Sequence, residues 1–288
     1  MIKKLPKWLG PSLKAAGFSA IISGIYAVWL ERGWLEVTHH KVKIEQLPPE
    51  WQGFRLAWLS DLHIEAKTSH TKALEEAVAR IIAERPDLVV LGGDYSDRGN
   101  WNKKLTNLLA PLTQAGLSVV AVMGNHDYYH GMRGRYSNEL GLKALGVTVL
   151  IDQSYPFSYK GVTQWIVGID DMIKGIGDYR QACASIPAGE KPLLMLTHNP
   201  VFMDEVPSDC CGLALAGHIH GGQINPVPAR YKERWNWVKW GPSLMRSPYV
   251  QGWYEVRGSQ LYVGRGLGVT KLPIRFGVRP ELPFFELV

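Results

Sequence analysis

The sequence predicts an α/β fold with largely parallel sheets, because short apolar runs alternate along it with amphipathic helical segments. Its 288 residues are 46% hydrophobic and 20% charged, which suits one large domain or two small ones. This composition excludes a disordered chain and an integral membrane bundle. The net charge of +6 favours anionic partners without selecting one class. The three cysteines form neither a disulfide framework nor a CxxC metal site.

From residue 53 onward, the apolar runs have the length of strands and the segments between them have the period of helices. A first strand is expected at 54–60, followed by a helix from Thr71 to Arg85 that Pro86 ends. Further strands are expected at 87–93, 117–124, 147–151, 163–169, 192–197 and 212–216. Further helices are expected at 102–114, near 136–145 and at 178–186. The Pro- and Trp-rich stretch 226–248 is interpreted as an insertion or a lid.

The N-terminal segment 1–35 differs in character from the rest of the chain. Its charge-free stretch, residues 15–30, reaches ~24 Å as a helix, which is shorter than the ~30 Å hydrocarbon core of a bilayer. A signal peptide, a short signal anchor and a helix lying in the membrane interface all remain open. The stretch is preceded by four lysines and bracketed by tryptophans at 8, 29 and 34. Trp prefers the membrane–water boundary, so we expect membrane attachment, on a side that the sequence leaves open.

Polar residues follow five of the expected strands directly, at the ends where ligands bind in α/β folds. A single polar residue after a strand usually caps a helix. Capping uses Ser, Thr, Asp or Asn, so it does not explain the four histidines. The residues are Asp61 and His63 in SDLH, Asp94 in GGDYSDRG, Asn125 in GNHD, His198 in THNP, and His218 and His220 in GHIH. Such a set of carboxylates, one amide and imidazoles indicates a site for two divalent cations.

Imidazole and carboxylate together suit Mn, with Fe, Zn or Mg as alternatives. One bridging carboxylate would hold two metals ~3.5–4 Å apart, and a hydroxide bridging them would attack phosphorus in line. Hydrolysis of a phosphoester is therefore the reaction that this set of residues suits best.

The glycine-rich stretch around GHIH is expected to form a turn pressed against the metals. In an extended turn, His218 and His220 would both face the metals while Ile219 faces inward. Gly217, Gly221 and Gly222 would let the backbone approach closely and adopt unusual dihedral angles.

The blocks DLH, GDYSDRG, GNHD, THNP and GHIH, in this order between about Leu56 and Gln223, resemble the calcineurin-like metallophosphoesterase superfamily. The resemblance implies a four-layer α/β/β/α sandwich of two mixed sheets flanked by helices, with a hydrophobic N-terminal helix. The catalytic domain would span 50–288. One metal would be held by Asp61, His63 and His220, and a second by Asn125, His198 and His218, with Asp94 bridging. The resemblance also implies His126 as a catalytic residue that Asp97 orients, and Arg98 as a phosphate contact.

The block GHIHGGQI and the C-terminal run GLGVTKLPIRFGVRPELPFFELV resemble one membrane-associated branch, which includes YaeI, YkuE and LpxG. The resemblance implies hydrolysis of UDP-2,3-diacylglucosamine with release of UMP in lipid A synthesis, at the bacterial cytoplasmic (inner) membrane. The doublet GHIH argues against a phosphoprotein substrate. A general phosphodiesterase of the cell envelope, a nuclease and a catalytically silent scaffold are the alternatives. No protein partner is evident.

The stretch 229–246 carries five basic residues against one glutamate, interleaved with Trp235, Trp237 and Trp240. Trp beside Lys and Arg suits a membrane interface or a pocket for an acyl chain next to an anionic head group, so these tryptophans are candidate substrate contacts. A lid that packs its own tryptophans over the sheet is an equal alternative. Stacking on single-stranded nucleic acid is less favoured because of the hydrophobic N-terminus. Three arginines are candidates for steering an anionic substrate: Arg265, Arg275 and Arg279.

Overall fold

Two six-stranded sheets form the centre of the molecule in the computed structural model, which describes residues 22–64, 71–225 and 247–288. The strands are β1 (Glu36–Val42), β2 (Arg55–Leu59), β3 (Leu88–Leu91), β4 (Val119–Ala121), β5 (Thr148–Val149), β6 (Gln153–Tyr159), β7 (Val162–Gly168), β8 (Leu194–Leu196), β9 (Leu213–Ala216), β10 (Gly252–Val256), β11 (Ser259–Val263) and β12 (Glu281–Leu287). The helices are α1 (Thr71–Glu84), α2 (Lys103–Gln114), α3 (Met132–Ala144) and α4 (Tyr179–Ala182).

Both sheets are mixed, with parallel strands at their centres. The first has the order β1-β12-β2-β3-β4-β5, and only the pairing of β12 with β2 is antiparallel. The second has the order β10-β11-β9-β8-β7-β6, with antiparallel pairs at its two edges. The two parallel centres bring the carboxyl ends of β2, β3, β4, β8 and β9 to one edge of the molecule.

The alternation of side chains along each strand separates the core into layers. In β2, Leu56 and Trp58 pack between the two sheets, while Ala57 and Leu59 pack against the helices on the outer face of the first sheet. The outer face of the second sheet has its own buried cluster, which includes alanines of β9. The result is the α/β/β/α sandwich implied by the family resemblance, and that prediction is confirmed.

The bounds of three helices can be compared with those expected from the sequence. The Asn102 side chain caps α2 by accepting hydrogen bonds from the backbone N–H groups of Lys104 and Leu105, at 2.9 and 3.1 Å. Helix α4 ends at Ala182 rather than at 186. Helix α3 begins at Met132, earlier than expected.

Five strands were not expected from the sequence: β1, β6, β10, β11 and β12. Of these, β1 (EVTHHKV) is polar on its exposed positions, and β12 contains Pro283. The pairing of β1 with β12 is not visible in local patterning, because β12 lies at the other end of the chain and pairs with β1 along its whole length. In contrast, β6 pairs with β7 and β10 with β11 as hairpins across two-residue turns.

The N-terminal segment is described only from residue 22. Residues 22–25 are α-helical, and a π-helix (Tyr26–Leu30) and a 3-10 turn (Glu31–Gly33) follow. Within the described ranges, no helix combines the length and hydropathy needed to cross a membrane. Trp235, Trp237 and Trp240 lie outside the described residues, as does most of the expected lid.

Candidate metal centre

All seven residues expected to bind metal come together at the carboxyl ends of β2, β3, β4, β8 and β9. Two groups of three among them have ligand atoms within 4.8 Å of one another. The first group is Asp61, His63 and His220, and the second is Asp94, His198 and His218.

The ligand atoms of the first group converge on a point between the rings of His63 and His220. Nε2 of His220 lies 3.4 Å from Oδ1 of Asp61 and 3.1 Å from Nε2 of His63. Two ring nitrogens and a carboxylate oxygen converging in this way are the donor set of a divalent transition metal.

Asp94 stands between the two groups. Its Oδ2 atom lies 3.5 Å from Nε2 of His63 in the first group and 3.2 Å from Nε2 of His198 in the second. Its other oxygen, Oδ1, accepts a hydrogen bond from the backbone N–H of His126 at 2.8 Å. One buried carboxylate therefore faces both groups, which is the placement that a bridging ligand needs.

Among the buried polar atoms at the site that have no hydrogen-bond partner are Oδ1 of Asn125 and Nε2 of His198. The Nδ1 atom of His198 lies 2.8 Å from the carbonyl oxygen of Gly92, so Nδ1–H donates there and Nε2 is the ring atom that faces Asp94. A buried donor or acceptor without a partner is costly, and a cation would satisfy both atoms. The residues present therefore fit a pair of divalent ions.

The backbone at the site is strained. Five of the seven expected ligands have φ between 45° and 70°, a left-handed region that non-glycine residues rarely adopt: Asp61, His63, Asp94, His218 and His220. Such residues cost about 1–3 kcal/mol each and concentrate at functional sites. Gly217 is needed here because a Cβ atom in its place would lie 2.5 Å from Oδ2 of Asp61.

Charges within the site determine which residues carry protons. Burial would raise the pKa of Asp94, but His198 and His63 outweigh it and hold that pKa well below its ordinary value. Burial lowers the pKa of His218 to about 3, with a further contribution from His198, and that of His220 falls well below 6.5. Asp94 is therefore ionised and these two imidazoles are neutral near pH 7, the forms that bind metals.

His126 and Asp97 lie beside the first group. Oδ1 of Asp97 is 3.5 Å from Nδ1 of His126 and 3.5 Å from Nδ1 of His63. The hydrogen bond of Asp97 with His63 lowers the pKa of the Asp97 carboxyl group. Nδ1 of His126 also lies 3.4 Å from the backbone carbonyl oxygen of Asp97, so both the backbone and the side chain of Asp97 adjoin this ring.

Asp127 holds two of these loops together, a role that the sequence did not indicate. Its carboxylate accepts hydrogen bonds from the backbone N–H groups of Asp94, Tyr95 and Gly124, at 2.8, 3.0 and 2.9 Å. Its position three residues after Gly124 in GNHD is the signal that could have revealed it, because an acidic residue there often caps a turn.

A cleft of about 400 Å³ opens over Asp94, Asn125 and His126. Ile219 lines this cleft, so the expectation that it faces inward is wrong. The reason is that GHIH is not extended: Ile219 is helical in backbone conformation, and a 3-10 turn (His220–Gly222) follows it. Among the described residues, Arg98 is exposed and does not line the cleft.

The three arginines expected to steer an anionic substrate have other partners. Arg275 is fully buried and donates hydrogen bonds to the carbonyl oxygens of Gly266 and Gly268, at 3.1 and 2.5 Å. Arg265 and Arg279 both pair with Glu36, at 2.9 and 3.0 Å. Their charges are thus used within the fold, and the steering role is wrong for Arg275 in particular.

This sandwich with this set of donors defines the class of metal-dependent phosphoester hydrolases. Residues 54–222 match the model of the Calcineurin-like phosphoesterase family. The chain belongs to this family and is a metal-dependent phosphoesterase.

Three relatives illustrate the range of similar proteins. The uncharacterized metallophosphoesterase YkuE of Bacillus subtilis is 30% identical, with 91% of this chain and 88% of the relative covered. The phosphodiesterase YaeI of Escherichia coli is 29% identical, with 91% and 92% covered. A transmembrane protein with a metallophosphoesterase domain from Danio rerio is 28% identical, with 86% of this chain and 56% of that protein covered.

Proposed function

We propose that the chain is a dinuclear-metal phosphohydrolase that cleaves a phosphodiester or pyrophosphate bond, with UDP-2,3-diacylglucosamine as substrate and UMP as product. The placement of Asp94 between the two ligand groups carries the dinuclear proposal. The resemblance of GHIHGGQI and of the C-terminal run to LpxG supports the particular substrate. A general phosphodiesterase of the cell envelope is the second candidate, which the name and similarity of YaeI favour.

The seven ligands divide between two ions in this proposal. Asp61, His63 and His220 hold one, Asn125, His198 and His218 hold the other, and Asp94 contacts both. Two bound divalent cations, proposed as Mn²⁺, would neutralise phosphoryl charge and lower the pKa of water towards neutrality.

The remaining proposed site residues transfer a proton, orient His126 or contact the substrate. His126 stands at the cleft and donates a proton to the leaving oxygen, a role that its half-buried position allows. Asp97 restricts the rotation of the His126 ring through the contact at 3.5 Å. Arg98 remains a proposed phosphate contact, and Trp235, Trp237 and Trp240 remain proposed acyl contacts.

The described part of the N-terminal segment supports attachment to the cytoplasmic membrane. Ile22, Ile25 and Trp29 recur at helical spacing and are 51%, 53% and 65% exposed. The guanidinium of Arg32 lies 5.8 Å from the ring centre of Trp29, so aromatic and cationic groups occur together as at a membrane interface. One relative is named a transmembrane protein.

The test of the function is hydrolysis of UDP-2,3-diacylglucosamine in the presence of Mn²⁺, followed through UMP release. We expect rapid release that Asp94→Ala abolishes and that Asp209→Ala, which changes an exposed carboxylate, leaves intact. Cleavage of bis(p-nitrophenyl) phosphate without UMP release would eliminate this substrate and favour the second candidate. Activity that survives in Asp94→Ala would eliminate the dinuclear centre.

A further inference from the structure

Two short walls stand over the candidate metal centre, and each combines a lysine with a large aliphatic residue. Ile173 and Lys174 form one wall, and Lys271 and Leu272 form the other. All four line the cleft that also contains Asp94. Ile173 and Leu272 are 45% and 53% exposed, so two aliphatic side chains face solvent next to a highly polar centre.

The first wall is held in place by carboxylates. Oδ1 of Asp171 accepts hydrogen bonds from the backbone N–H groups of Ile173 and Lys174, at 3.0 and 2.7 Å. The preceding Asp170 accepts a 2.5 Å hydrogen bond from the hydroxyl of Tyr128, which belongs to the same turn as His126. This wall is therefore tied to the catalytic turn.

The second wall is held by one amide from the metal-binding loop. Nε2 of Gln223 donates to the carbonyl oxygens of Thr270 and Leu272, at 3.1 and 3.0 Å, and its Oε1 accepts from the N–H of Thr270 at 3.0 Å. Lys271, between them, has φ of 58°, a conformation that such a clamp can maintain. Gln223 lies three residues after His220, so this wall too is tied to the centre.

We propose that these two walls form a substrate subsite, which binds an aliphatic chain of a diphosphate-containing substrate next to the phosphorus that is cleaved. This inference rests on the proposed function and specifies its substrate class. Exposed aliphatic side chains at a site of this kind lower the free energy of an alkyl group by removing it from water. The ammonium groups of Lys174 and Lys271 supply positive charge for a second phosphate, beyond the phosphate held at the centre.

The alternative substrate classes fit the walls less well. A nucleic acid backbone carries its charges along a groove lined with basic residues and aromatic stacking surfaces. Here the described lining contains, besides the two lysines and the polar residues of the centre, four large aliphatic residues and no Trp, Tyr or Phe: Ile173, Ile219, Ile224 and Leu272. A small polar phosphoester would leave these side chains in contact with water and would not benefit from them.

Three inhibitors of bis(p-nitrophenyl) phosphate hydrolysis separate the two parts of the subsite. Methyl diphosphate and octyl diphosphate have the same charge and differ in the chain, whereas octyl phosphate has the same chain and less charge. With Mn²⁺ in excess over inhibitor, we expect octyl diphosphate to bind at least about tenfold more tightly than methyl diphosphate, because the aliphatic side chains remove its chain from water. We expect a similar advantage over octyl phosphate, because only the diphosphate offers a second phosphate to the two lysines. Equal inhibition constants for the two diphosphates would overturn the proposal.

Two double variants test which wall residues cause the preference for the octyl chain and which cause the preference for diphosphate. Ile173→Ser with Leu272→Ser should remove most of the preference for the octyl chain, and Lys174→Gln with Lys271→Gln should remove most of the preference for diphosphate. Leu140→Ser, at a residue that is 66% exposed on α3, is the matched control and should retain both. Preferences that persist in both double variants would place the subsite elsewhere.

A failure of the proposed function can be distinguished from a failure of the subsite. If the chain loaded with Mn²⁺ hydrolyses neither bis(p-nitrophenyl) phosphate nor UDP-2,3-diacylglucosamine, the function proposed above is wrong. The subsite is then tested by calorimetric titration of the same loaded chain with the two diphosphates. A preference for octyl diphosphate that the Ile173 and Leu272 variants abolish would still support the subsite, and the absence of any preference would reject it.

Discussion

The Oδ1 atom of Asp97 lies 3.5 Å from Nδ1 of His126, and the same oxygen lies 3.5 Å from Nδ1 of His63. One carboxylate thus contacts both a proposed proton donor and a proposed metal ligand. A carboxylate in this position selects the tautomer of each ring and limits its rotation. Asp97 therefore links the position of the proposed catalytic imidazole to the geometry of the candidate metal centre.

Replacement of His126 should separate catalysis from metal binding. We expect His126→Ala to lower kcat by about 10²–10⁴-fold, the range typical of a lost general acid. Metal content should be unchanged, because the seven proposed ligands do not include His126, although its ring lies close enough to His63 and Asp97 to form a third possible ligand group. The measurement is kcat together with metal analysis, with His130→Ala as a control at a nearby exposed histidine. Loss of metal from His126→Ala would instead make it a ligand.

The contact between Asp97 and His126 predicts non-additive effects. Asp97→Asn should slow turnover, and adding it to His126→Ala should cost less than it does in the wild type, because only the contact of Asp97 with His63 is then left to lose. A double-mutant cycle on kcat measures this coupling. Full additivity of the two effects would show that Asp97 acts independently of His126.

Arg275 should maintain both the fold and the affinity for metal. Its Nη2 atom lies 3.5 Å from Nδ1 of His220, and its guanidinium binds carbonyl oxygens of the loop that contains Gly266 and Gly268. We expect Arg275→Met to lower the free energy of unfolding by about 2–5 kcal/mol, since several buried carbonyls lose their donors. Weaker Mn²⁺ binding should accompany this loss.

Urea denaturation and metal titration test the role of Arg275. Arg180→Met, which changes an exposed arginine in the same way, is the matched control. Unchanged stability in Arg275→Met would mean that water replaces the guanidinium without cost, and would contradict the prediction.

Glu281 should make stability depend on pH in the acidic range. Burial raises its pKa, but the Arg265 guanidinium, 3.0 Å away, and the Tyr262 hydroxyl outweigh this, so the pKa lies below 4.5. Because the pKa in the folded state is depressed, the stabilisation is complete above the unfolded value and is lost as the pH falls through the folded one.

The measurement is the difference in free energy of unfolding between wild type and Glu281→Gln from pH 7 to pH 3. We expect wild type to be the more stable at pH 7 and the difference to shrink below about pH 4.5. A difference that stays constant over this range would exclude an ionised Glu281 as its source.

The exposed N-terminal side chains should bind to anionic bilayers. Trp29→Ser with Ile25→Ser should reduce co-sedimentation with vesicles of phosphatidylglycerol and phosphatidylethanolamine, because both changes remove exposed apolar surface. Tyr136→Ser, at a residue that is 52% exposed on α3, should bind as wild type does. Equal binding by all three proteins would argue against this membrane contact.

Much of the fold and site followed from local pattern. The strands that carry the ligands are continuous apolar runs, such as the LVVL of β3, and each ends in a polar motif that is visible in the sequence. The edge strands lack this signal, since the HHK of β1 is stabilised by β12 rather than by its own pattern. Arg275 was misinterpreted for a similar reason, because burial of a charged side chain depends on carbonyl partners that the sequence does not display.

The sequence by itself determined which residues meet, because parallel strands carry the polar residues that follow them to one edge of a sheet. Only the tertiary structure decided how those residues are arranged. It places His63 next to His220, 157 positions along the chain, and Asp94 between the two groups. It also makes Gln223 the clamp of a cleft wall. These relations depend on contacts between distant parts of the chain, and such contacts exist only once the two sheets have packed together.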